Sequence, residues 1–181
     1  MGGAYDGKPS IFDNISEDDL ILAFFPCTRF EARVPLLFRG EAFQQKKWSD
    51  IEKLEYSIQL QSGLSKLYIL LCKMVIVCLR KGLKMVIENP YTQPHYLTTY
   101  WCLKPTIIDK DRTKNGDYYK KPTQYWFINF KPKQNLVFEP IEYVETKIIE
   151  KVKGTDCTTR QTERSMMHPQ YAKRFIKQYL I

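Results

Sequence analysis

The sequence predicts an α/β fold, and three features of its first half carry that prediction. An apolar run over 20–25 leads into Pro26-Cys27, and a second run over 84–90 ends in Glu88-Asn89-Pro90. Neither run alternates between apolar and polar residues, which is typical of buried parallel strands. A proline ends each run, because proline cannot continue a central ladder. A long helical pattern lies between them. Strand, helix and strand form a βαβ unit, whose right-handed crossover makes the two strands parallel.

The connecting helix is predicted from its two ends and from the helical spacing of its apolar residues. Ser49 and Glu52 form a capping box at its start, and Gly82 is a suitable cap at its end. A continuous helix over 50–81 would be about 48 Å long at ~1.5 Å per residue. Because a crossover does not require that length, we expect a kink or break near Ser62-Gly63. The apolar character from 67 onward predicts deep burial.

The remaining elements extend this unit into one predicted domain over 1–181. We expect a partial Rossmann-like sheet with a long crossover helix, a β-hairpin region and a C-terminal helix. An N-terminal loop covers 1–17, and a basic β-rich and helical extension covers 104–181. Within this frame the predicted pieces are a loop with some helix over 28–40, a short helix over 97–101, strands over 106–108, 125–130 and 136–138, an irregular segment over 139–165 and a helix from Pro169.

Positive charge is concentrated in the C-terminal half. The chain of 181 residues has a net charge of +8. Residues 1–103 contain 12 Lys/Arg and 11 Asp/Glu, a net charge of +1, whereas residues 104–181 contain 16 and 9, a net charge of +7. A basic surface favours a polyanionic partner such as nucleic acid, and a solvated charged face is the alternative interpretation.

The cysteines and histidines indicate neither a disulfide framework nor a zinc site. Five scattered cysteines and no CxxC pair fit reduced thiols in a cytoplasm. Cys72 and Cys78 are predicted to be core residues, and His95 and His168 lack metal-ligand spacing. The longest apolar stretch, 67–79, is too short for a bilayer, so we expect a soluble protein without a membrane partner.

Four motifs occur together in a characteristic order. Pro26-Cys27 follows an Asp-led apolar strand, Glu88-Asn89-Pro90 follows the next strand, Lys-Pro-Thr-Gln-Tyr-Trp occupies 121–126, and Arg164-Ser165 precedes the terminal helix. Over most of 18–181 the chain resembles the phage-borne branch of the DNA cytosine methyltransferases that modify the ring carbon next to the amino-bearing one. On overall character rather than on a motif, it also resembles small anti-CRISPR inhibitors of RNA-guided DNA nucleases.

The methyltransferase resemblance implies a set of site residues. Cys27 would be the nucleophile, Glu88 its acid partner at the ring nitrogen and Asn89 their support, acting on a base flipped out of duplex DNA. A buried or relic thiol, and a carboxylate that caps a helix or pairs with arginine, are the alternative interpretations of Cys27 and Glu88. The predicted contacts to nucleic acid or a partner are Arg29, Arg33, Lys120, Lys121, Thr123, Arg160 and Arg164. For the arginine-containing loop an ordinary solvated loop is the alternative.

The sequence also departs from that family. An S-adenosylmethionine site needs a strand, a glycine turn and an acidic residue roughly 20 positions later, and the 26 residues before Cys27 do not contain that pattern. Phe25 stands where the family has a proline. We therefore expect no cofactor in this chain alone.

Two functions follow from these matches and departures. The first is a catalytically incomplete, methyltransferase-like protein that binds DNA, a CRISPR nuclease complex or both, as a phage anti-defence factor. The second is an active S-adenosylmethionine-dependent methyltransferase that is completed by dimerisation or by a second chain. Half of a nucleotide-binding sheet leaves one strand edge open, which predicts a homodimer or a partner at that edge.

Overall fold

A computed structural model describes residues 6–147, 162 and 165–181. The fold is mixed α/β, with a four-stranded mixed sheet and one long helix. Three short 3-10 turns lie at Ile11–Asn14, Phe43–Gln45 and Arg112–Asn115. The described helices are α1 (Val34–Phe38), α2 (Asp50–Lys81), α3 (Tyr96–Tyr100) and α4 (Pro169–Tyr179), and the strands are β1 (Leu20–Phe24), β2 (Lys84–Pro90), β3 (Ile107–Asp109) and β4 (Thr123–Ile128).

The predicted βαβ unit is confirmed. β1 and β2 are parallel neighbours, and their register runs from Leu20 opposite Lys84 to Phe24 opposite Glu88. The strand order in the sheet is β1-β2-β4-β3. The parallel pairing follows from the long crossover through α2, since two parallel strands cannot be joined by a tight turn.

α2 has the predicted ends but not the predicted break. The side chain of Ser49 accepts a hydrogen bond from the backbone N–H of Glu52, whose carboxylate accepts one from the N–H of Ser49 at 2.7 Å. Gly82 ends the helix in the left-handed conformation at φ 69°. The expected interruption near Ser62-Gly63 is wrong, because α2 is continuous over 32 residues. Gly63 instead allows a close approach: a Cβ there would lie 2.8 Å from Nε of Arg29.

The hydrophobic core lies between α2 and the sheet. Each large apolar side chain in it contributes about 1.5–3 kcal/mol when fully buried. Cys78 is buried as predicted, and Cys72 packs against the same cluster. Other members of the cluster are Leu64, Leu71 and Val75 of α2, Met85 and Ile87 of β2, and Trp126 and Ile128 of β4.

Two predictions of deep burial are wrong in part. Along β1 burial alternates: Ile21 and Ala23 pack against the core, whereas Leu20, Leu22 and Phe24 are 38%, 46% and 65% exposed. One face of β1 therefore packs on the core, and its other face is open to solvent. The second half of α2 is likewise buried on one side only. Its exposed apolar residues are Ile69, Leu70 and Leu79.

α2 is long and apolar enough to cross a membrane. Its most apolar 18-residue window has a mean hydropathy of 1.8, and 28% of that window is buried. A single helix of this kind is weak evidence for a membrane protein, because the core helix of a soluble protein passes the same test. The expectation of a soluble, cytoplasmic protein therefore stays a prediction.

Backbone contacts divide the chain into two compact units. The first unit comprises the described residues up to Thr106 together with Tyr125–Phe130. The second unit comprises Ile107–Gln124 and the described residues from Lys131 onward.

A buried ion pair in the second unit contacts the start of α4. Arg112 and Asp117 form it, and both side chains are fully buried. The Arg112 guanidinium lies over the ring of Tyr171 in α4, with 4.6 Å between its central carbon and the ring centroid. The other Asp117 oxygen accepts a hydrogen bond from the N–H of His168, the residue before α4, at 2.8 Å. Arg112 and Asp117 thus neutralise each other's buried charge, as a buried charge requires. Their contacts with His168 and Tyr171 also attach the first turn of α4 to this pair.

The segment after Lys131 is hydrogen-bonded to α4 and is not a strand. The N–H of Asn135 donates to the carbonyl of Gln178 at 2.8 Å, and the Arg174 guanidinium donates to the carbonyls of Val137 and Glu139 at 3.2 Å. The strand predicted over 136–138 is therefore wrong, because helix side chains occupy the carbonyls that a ladder would use.

Candidate functional site

The three predicted catalytic residues lie at or just beyond the carboxyl ends of β1 and β2. Phe24, the last residue of β1, is paired with Glu88 of β2, so the Pro26-Cys27 turn leaves the sheet at the edge where Glu88 lies. The buried side-chain amide of Asn89 donates to the Phe25 carbonyl at 2.8 Å and to the Glu88 carbonyl at 3.0 Å. Asn89 therefore fastens the start of the turn to the end of β2.

The turn itself is held by backbone and aromatic contacts. The Cys27 carbonyl accepts hydrogen bonds from the N–H groups of Phe30 at 2.8 Å and Glu31 at 3.1 Å. The buried Phe30 ring stacks on Phe25 and on Tyr96, with centroid separations of 6.2 and 6.0 Å. The N–H of Tyr96 donates to the Phe30 carbonyl at 2.9 Å. The segments that follow β1 and β2 are thus joined, and Cys27 remains half-exposed.

His95 lies inside this cluster and was considered in the sequence only as a metal ligand. Its ring is fully buried, 6.2 Å from that of Phe30. Burial lowers the pKa of His95 from 6.5 to about 4, because the imidazolium would lose its hydration. The residue is therefore neutral at physiological pH. Among the described residues, no group of three or more His, Cys, Asp or Glu side chains is arranged to hold a metal ion.

An open groove of about 580 Å³ lies beside the turn. Two tyrosines of α3, Tyr96 and Tyr100, contribute to one wall, with ring centroids 5.0 Å apart. The half-buried Glu31 is the carboxylate of the lining. Burial raises the pKa of Glu31, and the nearby positive charges of Arg33 and Arg29 oppose that rise. The remaining lining residues are Val34, Pro35, Phe38, Arg39, Gln61, Leu64, Pro94 and Thr99.

The predicted contacts to nucleic acid divide between the two units. In the first unit Arg33 is exposed, whereas Arg29 is half-buried and lies against Gly63. In the second unit Lys120 is exposed and Lys121 is half-buried. Thr123 is fully buried, and its hydroxyl donates to the Lys121 carbonyl at 2.8 Å, so its side chain is not on the surface. Arg160 and Arg164 lie outside the described residues.

The sequence did not reveal the Asn89 clamp or the groove. Asn89 was predicted as a supporting residue through a family resemblance, but its bond to the Phe25 carbonyl depends on the strand register. The groove depends on α1 and α3 lying near each other. The short spacing of Glu31 from Cys27, and the i,i+4 pair Tyr96 and Tyr100, are the only signals of it in the sequence.

Comparisons of this chain with protein-family models, with curated proteins and with solved structures found no match. The arguments for function therefore start from the edge formed by β1 and β2 and from the groove beside it.

Proposed function

We propose that this chain is a methyltransferase-like nucleic-acid-binding protein that holds an unpaired base at the carboxyl edge of β1 and β2. One observation carries the proposal: the alignment of Phe24 with Glu88, fastened by Asn89, directs Cys27 and Glu88 to the same edge. Open α/β sheets bind their ligands at that edge. In this proposal β1, α2 and β2 are one βαβ unit of a partial Rossmann-like sheet.

The surroundings of the edge suit a nucleic acid. Arg33 is exposed in the loop that follows Cys27, where an arginine can contact a phosphate. The exposed ring of Tyr100 lies beside that of Tyr96 near the same loop, and every base has a face that can stack on such a ring. The net charge of +8 favours association with a polyanion. A base would leave its stack to reach this edge, as it does in enzymes that act on bases.

A salt titration tests the proposal. We expect the chain to bind duplex DNA with an affinity that falls steeply as salt rises, because bound phosphates release counterions. Arg33→Gln should lower the affinity roughly 3- to 10-fold and reduce the salt slope by about one. Lys66→Gln, which removes an exposed positive charge on α2, is the matched control and should have a smaller effect. No binding at low salt, or equal losses for the two variants, would overturn the proposal.

Cytosine methylation is the second candidate function, and the position of Cys27 and Glu88 at the same edge of the sheet favours it. The Cys27 thiolate would add to the ring carbon beside the carbon to be methylated, while Glu88 holds the proton on the ring nitrogen. In the described part of the chain no glycine-rich strand–turn–helix lies ahead of β1, so the residues present do not fit S-adenosylmethionine and we derive no step through it. This candidate therefore requires a cofactor site outside the described residues, for example through dimerisation or a second chain.

Hydrogen exchange on cytosine separates the two candidates without a methyl donor. Addition of the thiolate, uptake of a deuteron from D₂O at the neighbouring carbon, loss of the original proton and expulsion of the thiolate together exchange that hydrogen. An active site should catalyse the exchange and lose it in Cys27→Ala. A protein that only binds should show no exchange, and Cys27→Ala should bind DNA as well as the unmodified chain does.

A further inference from the structure

The groove beside the Pro26-Cys27 turn has the dimensions and the chemistry of a ligand site. Its volume of about 580 Å³ lies within the ~300–1,000 Å³ that small-molecule sites occupy. Its lining is mainly apolar and aromatic, with a few polar groups, as in most such sites. It lies one turn of backbone from Cys27, whose carbonyl accepts the N–H of Glu31 at 3.1 Å.

The aromatic wall is open to a flat ligand. Tyr96 and Tyr100 lie four residues apart on α3, with ring planes inclined at 49°. Such an i,i+4 pair also contributes to the stability of a helix. However, α3 is only five residues long and Tyr100 is 68% exposed, so helix stability gives little reason for a second large ring there. An exposed ring face is what a stacking base needs.

Glu31 is the polar group that can select the ligand. Its carboxyl lies in the groove and is half-buried, so a hydrogen-bond donor brought by a ligand would replace water. The guanidinium of Arg39, also in the lining, is already paired with Glu41 at 2.8 Å. Because the side chain is half-buried, its pKa is raised by desolvation, and the positive charges of Arg33 and Arg29 oppose that rise. A carboxyl oxygen accepts readily from an amino group, and thymine has none.

We infer that this groove binds one nucleobase carrying an exocyclic amino group, stacked on Tyr100 and hydrogen-bonded through that amino group to Glu31. The inference rests on the proposed function, and it names the substrate class of the same edge. The base in the groove would be a neighbour of the base at Cys27 and Glu88, since Glu31 of the groove lies in the same backbone turn as Cys27. The occupant is a single-stranded or unstacked stretch of nucleic acid rather than intact duplex, because a paired base does not expose its face.

Fluorescence anisotropy of labelled single-stranded 12-mers, with the full chain, tests the inference. We expect the affinity for oligo-dC to exceed that for oligo-dT by at least fivefold. Tyr100→Ala should weaken oligo-dC binding 5-fold or more, since one base–aromatic stack contributes about 1–3 kcal/mol. Tyr100→Phe, which keeps the ring, should bind within twofold of the unmodified chain. Glu31→Ala should bring the dC to dT ratio close to one.

The matched control is Tyr143→Ala, which removes a tyrosine that is 92% exposed in the second unit and lines no part of the groove. Equal effects of Tyr100→Ala and Tyr143→Ala, or equal affinities for oligo-dC and oligo-dT, would overturn the inference. If duplex binding and its dependence on Arg33 survive that result, the groove assignment fails and the proposed function stands. If the chain binds neither single strands nor duplex, both fail. Thermal unfolding of each variant establishes that it is folded.

Discussion

In the first unit aromatic and aliphatic side chains pack around the edge formed by β1 and β2, whereas in the second unit a buried ion pair and side-chain hydrogen bonds hold α4. Each unit contains both bound and exposed positive charges. In the second unit Arg112 and Arg174 are bound to Asp117 and to backbone carbonyls, whereas Lys120 is exposed. In the first unit Arg39 is paired with Glu41, whereas Arg33 is exposed.

This difference shows that net charge is a poor guide to a binding surface. The C-terminal half has most of the excess charge, at +7, but part of that charge has a structural role. Lys177 is likewise paired with Glu139. The first half has a net charge of +1, and it contains the loop in which an exposed arginine lies near an aromatic groove. Which charges are available depends on their partners in the fold.

The largest predicted loss of stability comes from breaking the buried ion pair of the second unit. Asp117→Ala leaves the buried Arg112 without its carboxylate, and we expect a loss of about 3–5 kcal/mol in the free energy of unfolding. Urea denaturation followed by circular dichroism measures it. Glu41→Ala, which breaks the exposed pair with Arg39, is the control and should cost less than ~1 kcal/mol. Similar losses for the two variants would contradict a structural role for the buried pair.

The next effect is the pH dependence of stability that the buried His95 gives to the first unit. The folded pKa of His95 is about 4 and the unfolded value is 6.5, so between these values the unfolded chain binds the proton first. Protonation of His95 does not lower the free energy of unfolding above pH 6.5, and it lowers it progressively as pH falls toward 4. The loss amounts to at most ~3 kcal/mol at about 1.4 kcal/mol per pH unit. Urea midpoints measured from pH 7 to 4.5 should fall less in His95→Gln, and identical slopes would contradict the burial of a neutral imidazole.

A smaller effect on stability tests whether the edge formed by β1 and β2, rather than the first unit as a whole, controls DNA binding. Asn89→Ala leaves the Phe25 carbonyl without its donor, and we expect a loss of about 1–3 kcal/mol in stability together with weaker DNA binding. Asn129→Ala is the matched control, because the Asn129 amide donates to the carbonyls of Cys78 and Leu83, at 2.7 and 2.9 Å, next to the C-terminal end of α2. That variant should lose stability and keep its DNA affinity. An equal loss of affinity in both would mean that stability alone controls binding.

The smallest effect on stability concerns the open edge of β1. Phe24→Lys changes an exposed side chain and should alter the free energy of unfolding by less than about 0.5 kcal/mol. The homodimer or partner predicted at this edge remains a prediction, and light scattering checks it. If the edge pairs two copies, the unmodified chain should have the mass of a dimer and Phe24→Lys that of a monomer. A monomer in both cases would remove the homodimer prediction.

The fold was predictable where local rules and tertiary packing agree. The ends of α2 follow from Ser49, Glu52 and Gly82, and the parallel pairing of β1 and β2 follows from the length of the crossover. Burial of β1 was not predictable, because an apolar run does not tell whether one face or both faces of the strand will be covered. Residues 136–138 have the composition of a strand, but α4 takes their hydrogen bonds.

The site was predictable as a set of residues and not as a shape. Cys27, Glu88 and Asn89 could be placed at one edge from the order of the elements, whereas the clamp by Asn89 needs the register. Gly63 was interpreted as a helix breaker, yet it makes room for Arg29. The involvement of an RNA-guided nuclease stays a prediction, since it was based on overall resemblance alone.

The most direct test of the proposed base-binding edge compares two duplexes that differ in one nucleotide. One is fully paired, and the other has a single extrahelical cytosine, for which the cost of flipping is already met. Because unpairing a base costs a few kcal/mol, we predict that the full chain binds the second duplex at least tenfold more tightly at the same salt concentration. Equal affinity for the two duplexes would contradict the account.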